Sequence, residues 1–144
     1  MGRKILAVIV AIIAATAIMM IVEMLNSMVM APPSPEVIKD PARMREYMAN
    51  GPLTAYLVVL LGYILASFAG GFIVAKISRE GTGMTLPLIV GAFLTLGMVA
   101  NLLMLPGQPI WFVILGLVVF IPVTLFGYRF GRLREPRLSP EQQN

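Results

Sequence analysis

The sequence predicts an all-α membrane protein, with four transmembrane helices in a compact bundle and a short interfacial helix in the first outer loop. Three observations support this fold class. Only 12% of the 144 residues are charged, whereas soluble domains contain about a quarter. Hydrophobic residues make up 58% of the chain, and its mean hydropathy is +0.87. Four separate stretches are apolar enough to cross a bilayer, and none alternates in the manner of a membrane β-barrel.

The four predicted spans share the length that a membrane requires. A hydrocarbon core about 30 Å thick needs about 20 apolar residues of helix, and a helix satisfies its backbone hydrogen bonds internally. Pro32-Pro33 is expected to end the first span, because proline lacks a backbone N–H. Residues 1–131 are predicted to form a single transmembrane domain, with spans at about 5–30, 53–77, 84–105 and 109–128.

The first span has some features of a cleaved signal peptide. Its start is basic, and Val29-Met30-Ala31 resembles a small-residue cleavage site. However, its apolar region is much longer than the roughly 7–15 residues of a signal peptide, and proline would follow the cut. We therefore expect an uncleaved helix.

The outer loop, residues 32–52, has the signals of a short helix. Asp40 can cap its start with Pro41 in the first position, and Asn50-Gly51 can end it. Such a short helix is marginal without tertiary contacts. It could lie on the membrane surface, cover the bundle, or be a capped connector packed on its own protein. Three apolar or aromatic side chains share one face: Met44, Tyr47 and Met48.

The distribution of Lys and Arg predicts the orientation. Eight of the eleven basic residues lie at the N-terminus, in the second loop (Lys76 and Arg79) or in the tail, and three lie in the first loop. The positive-inside rule then places both termini in the cytoplasm, in a multi-pass protein of the cell (inner) membrane.

The tail, residues 132–144, is basic at first and then polar. Its arginines could contact anionic lipid or a partner, or they could act only as a topology signal, which is the interpretation we favour. No nucleic-acid motif accompanies the net charge of +4, so the lipid bilayer is the expected partner and nucleic acid is not. The candidate basic residues are Arg129, Arg132 and Arg134.

The composition also excludes several kinds of chemistry. The chain has no cysteine and no histidine. It therefore lacks a thiolate nucleophile, a disulfide framework, and the commonest general base and metal ligand. We expect a protein that is not an enzyme and that uses neither a cofactor nor a metal.

Three polar residues within the spans form a candidate site: Glu23, Asn26 and Asn101. A carboxylate within a span costs about 2.5–3.5 kcal/mol on insertion scales, so it normally faces a bundle interior or a wet cavity. Glu23 and Asn101 lie at similar depths in the outer half of two antiparallel spans. Glu23 could bind a proton or cation, could form a structural clamp with the two amides, or could reach the headgroups.

Small residues recur every fourth position in the second span, a pattern that lets helix backbones approach closely. Such a surface usually packs helices within one chain, and it can also build a homodimer. The candidate helix-packing residues are Gly62, Ala66, Gly70 and Gly71.

Several short segments resemble a family of small bacterial four-span membrane proteins. They are Ala31-Pro-Pro after the acid of the first span, Ala69-Gly-Gly-Phe-Ile-Val-Ala-Lys, Ala100-Asn-Leu-Leu-Met-Leu-Pro, and Pro109-Ile-Trp-Phe. Relatives often place a histidine one turn after the acid, where this chain has Ser27. The family brings no established activity with it, so the resemblance implies the fold alone.

Two functions from different classes remain. The first is a non-enzymatic accessory or assembly subunit of a larger membrane complex, which acts by packing against other subunits. The alternative is a small homo-oligomeric transporter or channel, in which Glu23 binds a proton or cation.

Overall fold

The computed structural model describes residues 1–78 and 83–133. These residues are almost entirely helical, and no strand occurs among them. Four of the helices are long and apolar enough to cross a membrane. The predicted fold class is therefore confirmed, and the chain is a multi-pass membrane protein. The helices are α1 (Gly2–Asn26), α2 (Pro35–Lys39), α3 (Pro41–Ala49), α4 (Leu53–Ser78), α5 (Thr85–Met104) and α6 (Ile110–Leu133).

The first long helix ends four residues before its predicted limit. The hydroxyl of Ser27 donates to the carbonyl oxygen of Met24 at 2.6 Å, and the next backbone bonds tighten into a turn over residues 27–30. Pro32-Pro33 therefore lies beyond the helix and does not end it. At the other limit of the chain, α6 continues past residue 128 to Leu133.

The four long helices form a four-sided bundle. Val22 lies against Gly62, and Ala11 lies against Gly70, so α1 and α4 are antiparallel. On the other side of α4, α6 runs parallel to it, and α5 closes the bundle between α6 and α1. The contact between α1 and α5 is the sparsest of the four sides. We call the end that carries α2 and α3 the α3 end, and the opposite end the terminal end.

The small residues of α4 lie at contacts within the chain. A Cβ added at Gly71 would overlap the backbone carbonyl of Thr124, and one added at Gly127 would overlap that of Phe68. The backbones of α4 and α6 thus touch directly. Ala66 is fully buried, on the side of α4 that also carries Gly62 and Gly70.

Helix α3 begins and ends as predicted and packs on its own bundle. The Asp40 carboxylate accepts hydrogen bonds from the backbone N–H groups of Ala42 at 2.9 Å and Arg43 at 3.5 Å. Its Met44 and Met48 side chains are buried in a cluster with aromatic residues of α4 and α6. Among the interpretations left open for this segment, the structure has α3 covering one end of the bundle.

Helix α2 was not predicted. Ser34 caps it by accepting a hydrogen bond from the N–H of Val37, and Pro35 occupies its first position. This is the same signal as Asp40-Pro41, six residues earlier in the chain. Its five residues are too few to show a periodic apolar face, so hydrophobic periodicity does not predict it.

Candidate ligand-binding cavity

A cavity of about 240 Å³ lies at the α3 end of the bundle. Glu23 and Asn26 of α1, Tyr63 of α4 and Asn101 of α5 line its sides. The segment after α1 and one face of α3 form its cover, which includes Tyr47. The cavity therefore lies among all four long helices, beneath α3 and the segment after α1.

A second cavity of about 190 Å³ continues from the first toward the middle of the bundle. The two share Glu23, Tyr63 and Asn101. Beyond those residues the second is bounded by Thr16 of α1 and Gly97 of α5, with apolar side chains between them. We call the two cavities together the α1–α5 groove.

The structure brings the three predicted polar residues to one cavity, but with a different pairing. No hydrogen bond joins Glu23 to Asn101 in the described part of the chain. Instead, the Oδ1 atom of Asn101 accepts a hydrogen bond from the Nε2 atom of Gln108 at 3.4 Å. Asn26 lines the same cavity, and its Oδ1 atom is buried without a hydrogen-bond partner.

Glu23 lies in an electrostatically unfavourable place for a carboxylate. It is three residues before the end of α1, where the helix dipole presents its negative end. No Lys or Arg is among the described residues that line either cavity. Within residues 1–78 and 83–133, the hydrogen bonds and ion pairs do not include the Glu23 side chain; the two ion pairs there join Arg43 to Glu36 and Asp40.

Two residues of the cavity wall, Asn26 and Gln108, have buried side-chain oxygens without a hydrogen-bond partner. These atoms have almost no accessible surface, so they favour positive charge through their amide dipoles and not through direct contact with a ligand. Aromatic rings complete the wall, with the centroids of Tyr56 and Phe112 5.1 Å apart. Ring faces attract cations, as carboxylates and carbonyl oxygens do. The chemistry of the wall therefore fits a cation or a proton.

Two phenol groups hold the cover in place: one joins its two parts, and the other joins it to α4. The Tyr47 hydroxyl donates to the carbonyl oxygen of Ala31, and the Tyr56 hydroxyl donates to that of Met48. Burial raises the pKa of Tyr47 above its ordinary value of 10.0, so this phenol stays neutral and remains a donor over a wide pH range. The cover is thus held by polar contacts to backbone as well as by the packing of its methionines.

Gln108 and the tyrosines of the cavity are not among the site residues that the sequence predicts. Gln108 lies between Pro106-Gly107 and Pro109, a composition typical of a turn. No local signal marks Gln108 as a partner of Asn101, because Gln108 lies beyond the end of α5 at Met104, where helical periodicity no longer applies. Tyr47 is predicted only as part of the apolar face of the loop helix, and nothing in the sequence marks Tyr56 or Tyr63 as lining a cavity.

The other predicted site residues lie away from the cavity. At the terminal end, Arg129 is exposed, whereas Arg132 donates to the Tyr128 hydroxyl at 3.0 and 3.2 Å. Arg134 lies outside the described residues, as do Arg79 and most of the predicted tail.

No protein-family model, curated protein or solved structure matches this chain. The resemblance to small bacterial four-span proteins therefore stays an expectation.

Proposed function

We propose that this protein is a small, non-enzymatic membrane transporter or channel that binds a proton or small cation at Glu23. One observation carries the proposal. The cavity at the α3 end gathers a carboxylate and two unpaired amide oxygens, and no described basic residue faces them. Of the two functions predicted from the sequence, this is the one that the geometry favours.

The energetic cost of Glu23 supports a ligand. Acidic residues in spans are expensive and commonly mark ion or proton pathways. Here Glu23 is exposed at the last turn of α1, where the negative end of the helix dipole also attracts a positive ligand. A structural clamp would join Glu23 to an amide, yet Asn101 bonds to Gln108 and not to Glu23. A bound cation or proton neutralises the carboxylate.

The orientation that we propose puts the cavity on the outer side of the cell (inner) membrane. Among the described residues, Arg3, Lys4, Lys76, Arg129 and Arg132 lie at the terminal end. The α3 end carries Lys39, Arg43 and Arg45, accompanied by three acids. The positive-inside rule then places both termini in the cytoplasm and the covered cavity outside.

Flux through proteoliposomes tests the proposal. We expect the wild type to conduct protons or one of the monovalent cations Na⁺, K⁺ and NH₄⁺, and Glu23→Gln to lose that flux while its melting temperature in detergent stays nearly unchanged. Glu46→Gln is the matched control, because Glu46 is exposed on α3 and does not line the cavity. Equal flux in wild type and Glu23→Gln would end the transport proposal.

An accessory or assembly subunit is the second candidate, and one observation favours it. A Cβ added at Gly97 would meet nothing within 4 Å, so the α1–α5 groove has room for a side chain from another subunit. The native mass of the protein, extracted gently from its membranes, separates the two candidates. Stoichiometric foreign subunits would support the accessory role, and a homo-oligomer without them would support transport.

A further inference from the structure

We propose, building on the cation site above, that the preferred ligand is a cationic amphiphile with a primary ammonium head and one alkyl chain. Its ammonium group would lie at Glu23, and its chain would follow the α1–α5 groove toward the middle of the bundle. The amphiphile would enter sideways from the lipid, between α1 and α5.

The shape of the groove supports two chemically different ends. Both cavities reach Glu23, and both have largely apolar remaining walls. The first cavity also adds amide side chains, those of Asn26 and Gln108. The second adds mainly apolar ones, including Met19 and Phe93. Thr16, at its inner limit, precedes Glu23 by seven residues, or about 10 Å of helix rise. A ligand that fills both cavities has a polar head and an apolar chain.

The polar end selects the head group. A primary ammonium has three N–H donors and no acceptor. It can donate a charge-assisted hydrogen bond to the Glu23 carboxylate, which lines both cavities. A quaternary ammonium has the charge but no donor for that carboxylate. A phosphate-bearing head would face Glu23 without any described Lys or Arg beside it. Charge and donor number therefore both favour the primary amine.

The position of the groove supports lateral entry. Three residues that line the second cavity, which we also call the inner cavity, are exposed on the outside of the bundle: Thr16, Phe93 and Gly97. That surface faces lipid in a spanning protein. Because lipid tails are as apolar as the groove, a chain moving between them gains no hydrophobic free energy. The alkyl chain therefore positions the ammonium group without adding hydrophobic free energy, and the specificity comes from the hydrogen bonds at Glu23.

Equilibrium binding to the full-length protein in nanodiscs of zwitterionic phospholipid tests the inference, with empty discs subtracted. The labelled probes are dodecylammonium, dodecyltrimethylammonium and methylammonium. The variants are Glu23→Gln, Gly97→Leu, which fills the inner cavity, and Ala92→Leu as a control. Ala92 is exposed on the same helix and lines neither cavity.

We expect wild type to bind dodecylammonium about tenfold more tightly than dodecyltrimethylammonium, and Glu23→Gln to lose at least that factor. Gly97→Leu should weaken dodecylammonium binding about tenfold and change methylammonium binding less than about twofold, which also shows that the variant is folded. Ala92→Leu should bind all three probes as wild type does.

Two results would overturn the inference and leave the cation site standing. One is equal affinity of wild type for the two dodecyl probes, or no binding of dodecylammonium above empty discs. The other is an unchanged affinity of Gly97→Leu for dodecylammonium. If methylammonium bound equally to wild type and to Glu23→Gln, the proposed cation site itself would fail.

Discussion

Glu23 combines two unfavourable features: it is an acid within a transmembrane helix, and it lies at the helix end where the dipole is negative. Among the described residues, no basic side chain lines the cavity to offset either feature. The cavity offers Asn26 and Gln108, whose unpaired oxygens repel a second negative group and attract a positive one. At this scale the arrangement is better suited to holding a positive ligand than to stabilising the fold, and the two roles can be separated by substitution.

Asn101→Leu should destabilise the protein more than Glu23→Gln does. The first change removes the hydrogen bond to Gln108 and leaves another amide unpaired; such bonds contribute about 0.6 kcal/mol on average in membranes. The second removes no hydrogen bond. Unfolding in mixed micelles measures both, with Ala100→Leu, an exposed neighbour, as the control. A larger loss of stability in Glu23→Gln would make Glu23 a structural clamp.

Tyr47 should contribute to a loss of stability at alkaline pH. Burial raises the pKa of its phenol above 10.0, so folding favours the neutral form. The stabilisation is complete below the unfolded value of about 10 and is lost as pH rises through the folded value. We expect the melting temperature of wild type to fall above about pH 10, and that of Tyr47→Phe to fall less steeply. Identical alkaline slopes would contradict this assignment.

At the scale of elements, the start of α3 could be predicted from its capping residues, whereas the end of α1 could not be predicted from the sequence. Asp40-Pro41 correctly located α3, because a cap and a proline at the first position are local signals. The apolar run continues through the turn at 27–30, so hydropathy and Pro32-Pro33 predict an end of α1 that is four residues too late. The hydrogen bond of Ser27 that accompanies the turn leaves no trace in hydropathy.

The glycines of the long helices should differ sharply in their tolerance of a methyl group. Gly71→Ala places its Cβ on the Thr124 backbone, so α4 and α6 must separate, at a cost of about 1–3 kcal/mol or more. Gly97→Ala meets open space and should be neutral or slightly stabilising, since alanine favours helix. Thermal unfolding in detergent compares the two. Equal stability of both variants would show that α4 and α6 are not in backbone contact.

At the scale of the whole molecule, the order of helices around the bundle decides where the cavity lies. Hydropathy predicts four spans but not which pair packs loosely. The small residues of α4 let α1 and α6 pack closely against it, and the contact between α1 and α5 is correspondingly less extensive. Glu23 and Asn101 could be placed at one depth by counting residues. That they face a shared cavity, and that Gln108 takes the hydrogen bond, depends on packing that a single sequence does not contain.

The orientation can be tested cleanly because the chain has no native cysteine. Glu46→Cys, on the exposed side of α3, should react with a membrane-impermeant maleimide added to spheroplasts, whose cell membrane is intact and accessible from outside. Gly2→Cys, at the terminal end, should react only after the membrane is opened. The opposite pattern would put both termini outside and the cavity in the cytoplasm.

The central claim, that the cavity at Glu23 binds a cation or proton, is tested most directly by ligand-dependent stability. Purified wild type, Glu23→Gln and Glu46→Gln would be unfolded thermally across series of Na⁺, K⁺, NH₄⁺ and methylammonium at constant ionic strength, and across pH. A ligand at 100 times its Kd stabilises the folded state by about 2.7 kcal/mol. We predict such a rise in wild type and Glu46→Gln for a cation or for acidic pH, and its absence in Glu23→Gln. The same response in wild type and Glu23→Gln, or none in either, would contradict the account.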